Sequence, residues 1–449
     1  MKLSQIGSLL REIRVAPVKS LGQNFLHDQN LARWIAQQAE LSRDDFVLEI
    51  GPGLGALTGP ALVAGAKVLA IEKDRRLVDF LREHFARQRL EVIHGDALEF
   101  EVKRLFADGP IKLLGNLPYY ISTELLLRFL EEPTPIMLAL LMLQKEVAAR
   151  LSAPPRSKDY GIIALVLQSQ YRVQYLRTVP ATVFLPQPEV DSAFVRLTPR
   201  AQGELPDHDR ELFLALIRRG FSQRRKQVGK LLREYVSDWS RAANAIGAGL
   251  QARAEELSLE QWIALTNFIR PLGSDHAGTD LAEEFAVVDE NDRVIGTAPR
   301  REVHGNNLRY RAVHIFLFNR AGELLLQKRS RWKDRHPELW DSSVAGHVGA
   351  GEEYDATAAR ELREELGVTT ELKRVAKLPA SEQTGQEFIW LYRGEHEGPF
   401  APPRGEIEAV QFFAVKDVAR WIARRPDDFA PGFLACWRCA RASLPNCPA

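Results

Sequence analysis

The chain has 449 residues, 45% hydrophobic and 27% charged, with a formal net charge of +1. A length beyond ~250 to 300 residues exceeds one ordinary core, so two or three domains are expected, and the composition is globular rather than disordered. No run of about 18 apolar residues occurs, Arg11, Glu12 and Arg14 interrupt the N-terminal stretch, and Cys436, Cys439 and Cys447 stand together at the far end. Those features exclude a disulfide framework and lead us to expect a cytoplasmic protein with no membrane partner.

In chain order, the apolar runs FVLEI, KVLAIE, LEVIH, IKLLGN and IMLALLML alternate with amphipathic stretches such as Arg75 to Arg87. That rhythm predicts a doubly wound parallel sheet. Tyr171 to Thr178 and Ser192 to Thr198 read as added antiparallel strands. Asp207 to Ile269 carries helical periodicity without a strand and is expected to be a small helical subdomain. Pro271 to Asp280, PLGSDHAGTD, reads as a linker. A second α/β arrangement follows: strands at EFAVVDE, RVIGTA, AVHIFLFN and ELLLQKR, a helix near Glu353 to Leu366, and further strands to Val415.

VLEIGPGLGALT sets Gly51, Gly53 and Gly55 at a strand-to-helix turn, where missing Cβ atoms let a ligand approach the backbone and the helix offers free N–H groups. Glu72 ends the next strand, 21 residues after Gly51, where a carboxylate can accept hydrogen bonds from a ribose diol. With Ala56 the run also satisfies a dinucleotide-binding pattern, so the glycines by themselves leave the cofactor open.

Asn116-Leu117-Pro118-Tyr119 follows IKLLGN at the carboxyl end of a predicted parallel strand, where side chains face a ligand crevice. An exocyclic adenine amine is a poor nucleophile because its lone pair is delocalised into the ring. The Asn116 oxygen and a carbonyl at Leu117 or Pro118 can hold its two hydrogens and localise that lone pair. Pro118 fixes the backbone, and Tyr119 offers a ring on which an extruded base can stack. The chemistry is then largely positioning, and no strong base is required.

KSLGQNFLHDQN, EIGPGLGALT, AIEKD, HGDAL, NLPYYIST and VFLPQPEVDSAFVRL together resemble the small-subunit ribosomal RNA adenine dimethyltransferases over about Lys19 to Ile269. The resemblance implies S-adenosylmethionine as cofactor, contacted by Asn24, Leu26, Gly51, Gly53, Glu72, Asp96 and Asn116, with Asp96 on the adenine amine. It implies Phe184 as a second stacking face. The partner implied is 16S rRNA within the small subunit, where two adjacent adenosines near the 3' end receive four methyl groups. Two positions depart from the family pattern, Tyr120 and Gly229, each where an Asn is usual. Between Glu211 and Glu234 lie seven basic residues and no acidic one, among them Arg218, Arg219, Arg224, Arg225, Lys226 and Lys230. GFSQRRKQVGKLLRE matches the family's RNA-binding helix, and such a basic helix supplies phosphate contacts.

Gly346, Glu352, Arg360, Glu361, Leu362, Glu364, Glu365, Gly367 and Val368 satisfy G-x5-E-x7-R-E-U-x-E-E-x-G-U, the Nudix box, at every fixed position. Glu361, Glu364 and Glu365 share one helix face, and three such carboxylates call for a hard cation, Mg²⁺ or Mn²⁺, bridging to substrate phosphates. Glu406 and Glu408 are candidates for a further carboxylate. AVHIFLFN, LLLQKRS, WDSSVAGHV and AGEEY resemble the isopentenyl diphosphate isomerase-like branch. Ala345 stands where that isomerase needs a cysteine, so hydrolysis of a nucleoside diphosphate derivative is expected instead. The same resemblance implies that His304, His314 and His347 form an additional metal site. The three cysteines are one ligand short of a zinc site.

The expected architecture is thus α/β. A Rossmann-like methyltransferase sheet (1–200) carries a helical RNA-binding subdomain (201–270), a linker (271–282) leads to a Nudix α/β/α sandwich (283–425), and a tail closes the chain (426–449). A monomer is expected. Two other readings are a ribosome-assembly factor whose Nudix module is a docking surface, and the related large-subunit adenine methyltransferases, disfavoured by PQPEVDSAFVRL and the helical subdomain.

Overall fold

Each apolar run read as a parallel strand forms one, because side chains buried on both faces reward a continuous hydrophobic segment. The computed structural model describes residues 3–17, 23–118, 121–201, 203–270, 284–331, 333, 335–403, 405–441 and 444. The chain divides into two units, Met1–Pro271 and Leu272–Ala449. The expected linker lies outside the described residues from Pro271 onward.

In the first unit a two-residue strand β1 (Phe25–Leu26) precedes β2 (Phe46–Ile50), β3 (Lys67–Glu72), β4 (Leu90–His94), β5 (Ile111–Asn116) and β6 (Ile136–Gln144). The strands β7 (Tyr171–Val179), β8 (Phe184–Leu185) and β9 (Ser192–Pro199) complete it. The main sheet has seven strands in the order β4-β3-β2-β5-β6-β9-β7, parallel as far as β6, with β9 and β7 added antiparallel. Alternation along β2 sends Leu48 and Ile50 to a core shared with Leu125, Phe129 and Leu130 of helix Ser122–Leu130. Val47 points the other way, toward Leu31 and Ile35 of helix Gln29–Gln38, which Asp28 caps. β1 and β8 pair with each other outside the main sheet.

The helical part has its own core of Phe213, Leu216, Ile217, Leu232, Trp262 and Ile263, into which Tyr160 and Leu165 also pack. The basic run is not a single helix. Helix Arg210–Phe221 carries Arg218 and Arg219 in its last turn and then ends, and only Val228–Leu231 is helical again before Glu234. Gly229 explains the break from the family pattern, since a Cβ there would lie 2.4 Å from the Trp239 ring, leaving no space for asparagine.

In the second unit β12 (Tyr310–Phe318) is central. It pairs antiparallel with β10 (Glu284–Val288), β13 (Glu323–Arg329) and β15 (Val344–His347), and parallel with β17 (Glu387–Glu395). β11 (Val294–Pro299), β14 (Trp340–Asp341), β16 (Lys373–Leu378) and β18 (Ile407–Ala414) extend the sheet. Val313, Ile315 and Leu317 face Ala358, Leu362 and Leu366 of helix Tyr354–Leu366. Each such leucine, fully buried, contributes about 1.5 to 3 kcal/mol. The segment expected to be a tail contains a helix, Pro431–Ala440, with Phe433, Cys436 and Trp437 buried. No helix among the described residues is long and apolar enough to cross a membrane.

Candidate active sites

The strand order of the first unit reverses between β2 and β5, and crevices open at the carboxyl edge of a sheet at such switch points. Gly51 follows β2, Glu72 ends β3, Asp96 follows β4 and Asn116 ends β5, so four separated residues meet along one edge. Gly51, Gly53 and Gly55 all have positive φ, at 65°, 59° and 79°, a turn that side chains with a Cβ resist. The loop is also crowded. A Cβ on Gly53 would sit 3.2 Å from the Phe25 ring, and one on Gly55 only 2.6 Å from Phe85.

The Glu72 carboxylate accepts from Gly53 N at 3.1 Å and Asp74 N at 2.9 Å, tying the glycine turn to β3. Burial pushes its pKa up against those hydrogen bonds. Glu49, buried two residues before the turn, is pushed up to about 7 by burial and accepts from Thr58 Oγ1 at 2.7 Å. Asp96 accepts from Leu98 N at 3.0 Å and pairs with Lys73 at 2.5 Å, and Lys73 holds its carboxyl below the usual range. Lys73 is not legible in the sequence, because a lone lysine after a strand carries no pattern.

The Asn116 amide donates from Nδ2 to the Asn24 carbonyl at 3.0 Å, leaving Oδ1 with no described partner. Leu117 N donates to Met142 O at 3.1 Å, and the Pro118 carbonyl accepts from Ile121 N at 3.2 Å. Tyr119 and Tyr120 lie outside the described residues. Leu26 and Phe184 are register partners between β1 and β8, and Phe184, 3% exposed, packs in a core cluster with Leu26, Leu31 and Met142.

The basic residues fall into two groups. Arg219 donates to Leu231 O and pairs with Glu234, while Arg224 donates to the carbonyls of Lys158 and Tyr160 and pairs with Glu255. Arg218, Arg225, Lys226 and Lys230 are exposed, with no ion pair among the described residues.

In the second unit Gly346 is required by its neighbour, since a Cβ there would lie 2.1 Å from the Glu361 carboxyl carbon. Gly367 ends the box helix with φ +71°. Glu361 and Glu365 are buried on the same face, and Glu365 accepts from Ala345 N at 3.3 Å and Gln327 Nε2 at 3.4 Å. Burial pushes the Glu365 pKa well up, reinforced by Glu361 and Glu406. Glu364 is turned away toward Arg360 at 2.7 Å, and Arg360 also reaches Glu352 and Glu361, both at 2.9 Å. Arg360 holds the Glu352 carboxyl below its usual range. Among the described residues no three His, Cys, Asp or Glu side chains are arranged to hold a metal ion. The donor set still suits one: two buried like-charged carboxylates, with the Gln327 Oε1 acceptor buried and unpartnered beside them. Glu406 pairs with Lys333 at 3.0 Å, and Glu408 with Lys328 at 3.6 Å.

The expected histidine triad does not form. The His304 and His347 rings lie 6.2 Å apart, whereas His314 bonds Ser342 Oγ at 2.7 Å and packs on Gly432. Cys436 is buried and Cys439 exposed, both as free thiols, and Cys447 lies outside the described residues.

The family model described as ribosomal RNA adenine dimethylase matches residues 17–270, and that of the NUDIX domain matches 308–433. The ribosomal RNA small subunit methyltransferase A of Chlorobium phaeobacteroides (strain BS1) is 42% identical over 262 residues, covering 58% of this chain and 97% of that protein. The crystal structure of the 23S rRNA methyltransferase ErmE is similar at 30% identity and a TM-score of 0.47, over 55% of this chain and 99% of that one. A Deinococcus radiodurans structure, DR0079, is 27% identical with a TM-score of 0.33, over 35% of this chain and 100% of that one. With more than half its length matched by the dimethylase model and the Chlorobium relative covered almost end to end, the chain belongs to the ribosomal RNA adenine dimethylase family and carries a Nudix domain in its second unit.

Proposed function

We propose that the first unit dimethylates N6 of two adjacent adenosines near the 3' end of 16S rRNA in the small subunit, with S-adenosylmethionine as methyl donor. The observation that carries this reading is the anchored Asn116 amide at the switch point, on a residue whose main-chain oxygen lies 3.7 Å from where a Cβ of Gly51 would stand. S-adenosylmethionine supplies a methyl group on a positively charged sulfur when bound. Gly51, Gly53, Glu72, Asp96 and the Asn24–Leu26 segment are the residues that would hold it, and the positive-φ turn gives the backbone approach such a ligand needs. Because Asn116 Nδ2 is committed to Asn24, Oδ1 is the atom that accepts one amine hydrogen. The Leu117 carbonyl, or that of Pro118, which also accepts from Ile121 N, takes the other. These acceptors orient the amine and draw its lone pair out of the ring, so positioning does most of the work. Tyr119 and Phe184 are the proposed stacking partners, and Phe184 must leave its packed position to serve. Arg218, Arg225, Lys226 and Lys230 provide phosphate contacts. Methyl incorporation into unmethylated small subunits, followed by mass-spectrometric mapping of the modified adenosines, tests this; binding without transfer would instead favour an assembly factor.

For the second unit we propose Mg²⁺- or Mn²⁺-dependent hydrolysis of a nucleoside diphosphate derivative, with Glu361, Glu364 and Glu365 as metal ligands. The buried Glu361 and Glu365 pair supports it, since two adjacent carboxylates in a low-dielectric site are stable as anions only beside a cation. A metal held by these carboxylates would supply positive charge to substrate phosphates, and Arg360 orients the carboxylates through Glu352, Glu361 and Glu364. Screening nucleoside diphosphate derivatives with Mg²⁺ against a Glu365→Gln control decides it.

A further inference from the structure

The first unit has an open cavity of about 390 Å³ lined by Lys145, Ala149, Ala153, Pro154, Asp159 and Tyr175, among others. The chain around it fixes its place. Lys145 follows β6 at the carboxyl edge of the sheet, just after Met142, whose carbonyl accepts from Leu117 N at 3.1 Å and whose register partner is Asn116. On the other side Arg224 donates to the carbonyls of Lys158 and Tyr160, at 2.7 and 3.3 Å, so the basic turn adjoins the loop that carries Asp159. The cavity thus lies between the Asn116 edge and the turn that bears the exposed Arg225 and Lys226.

We infer that this cavity binds an unpaired guanine of the RNA, a neighbour of the adenosines to be methylated; the inference rests on reading the first unit as an RNA adenine methyltransferase. The walls suit a flat ring. Ala149, Ala153 and Pro154 present hydrocarbon, and Tyr175, 36% exposed, offers an aromatic ring. Unpaired bases stack on such rings and are read by hydrogen bonds along their edges. At about 30 Å³ per water, the space equals some thirteen waters, enough for a purine base.

The polar groups decide which base. Ser152 Oγ donates to Ala148 O at 3.0 Å, Ser157 Oγ donates to Pro154 O at 2.8 Å, and Tyr175 Oη shares a hydrogen bond with Thr178 Oγ1 at 2.7 Å. Lys145 and Asp159 remain, and among the described residues neither side chain has a hydrogen bond or an ion pair, including with each other. Their charges cancel, so the cavity suits a neutral base, and phosphate would meet the Asp159 carboxylate. A carboxylate only accepts and an ammonium only donates, so a ligand held by both presents donors to one and an acceptor to the other. Guanine does this along one edge: N1–H and the N2 amine are adjacent donors for the two carboxylate oxygens, and O6 is an acceptor for lysine. Adenine and cytosine offer a single amine and uracil a single N–H, so none of them fills both carboxylate oxygens from one edge.

Fluorescence anisotropy of RNA hairpins with the full chain tests the site. The loops carry two adjacent adenosines with guanosine, inosine, adenosine or a pyrimidine placed on either side. Guanosine should bind best, and inosine, which lacks only the N2 amine, roughly tenfold more weakly. In Asp159→Asn that difference should vanish. Tyr175→Ala should weaken guanosine hairpins roughly tenfold, and Tyr175→Phe, which keeps the ring, should restore them. Melting midpoints check that each variant is folded. A guanosine preference that persists without methyl transfer to unmethylated small subunits would support the site and strike the methyltransferase reading alone. Affinity indifferent to the flanking base, an inosine difference as large in Asp159→Asn as in the unmodified chain, or affinity unchanged in Tyr175→Ala would each overturn the inference.

Discussion

Asn116 and Asn24 lie 92 positions apart, yet the Asn116 side-chain amide donates to the Asn24 main-chain carbonyl at 3.0 Å. This bond fixes which end of the amide is free. Asn116→Ala should therefore lower methyl transfer about 100- to 1,000-fold, the usual loss when one positioned transition-state partner is removed. Asn116→Asp should do the same, because a carboxylate cannot donate to Asn24. Tritiated-methyl incorporation into unmethylated small subunits measures both, and activity within tenfold of normal would refute the role.

Gly55→Ala tests the glycine turn. The added Cβ meets Phe85 at 2.6 Å on a backbone with φ +79°. A cost of about 1 to 3 kcal/mol is expected, seen as a lower unfolding midpoint of the first unit together with weaker S-adenosylmethionine binding.

The two groups of basic residues should behave differently. Replacing Arg225 and Lys226 by Ala should leave the melting temperature unchanged while lowering RNA affinity and reducing the slope of log affinity against log salt by about two. Arg224→Ala, which strips hydrogen bonds from the carbonyls of Lys158 and Tyr160, should lower the melting temperature. Equal effects on both readouts would contradict this division.

Glu387 gives the second unit a signed pH dependence. Burial raises its folded pKa to about 7 from the ordinary 4.5, so the folded state binds more protons between those values. The associated stability is present in full below pH 4.5 and is lost as pH rises through 7, a change of about 3 kcal/mol. Glu387→Gln, which is always neutral and can still accept from Tyr310, should flatten that part of the curve. Chemical denaturation of the second unit at several pH values measures it.

Glu365→Gln should abolish hydrolysis without destabilising the fold. Burial and the neighbouring Glu361 already disfavour the anion there, so a neutral isostere removes a repulsion while keeping the acceptor for Ala345 N. A loss of both activity and stability would mean that the carboxylate is structural.

The sequence alone determined the strand order's raw material and the two motif sets. Short continuous apolar runs alternating with amphipathic helical stretches are the pattern of a parallel sheet, and the glycine turn, NLPY and the Nudix box each have spacings that local geometry dictates. It also placed Glu361 and Glu365 on one helix face, since i and i+4 are neighbours on any helix. Tertiary structure decided what depends on pairing across distance: that Asn116 is anchored by Asn24, that Lys73 holds Asp96, and that Phe184 is packed in a core. It also broke the basic run into turn and short helix and packed Trp239 over Gly229, where no asparagine fits. The histidines show the division most clearly: His304 and His347 have the identity of metal ligands, but the fold sets what each ring faces, and arginines from other elements stand 3.1 and 3.4 Å from their Nδ1 atoms.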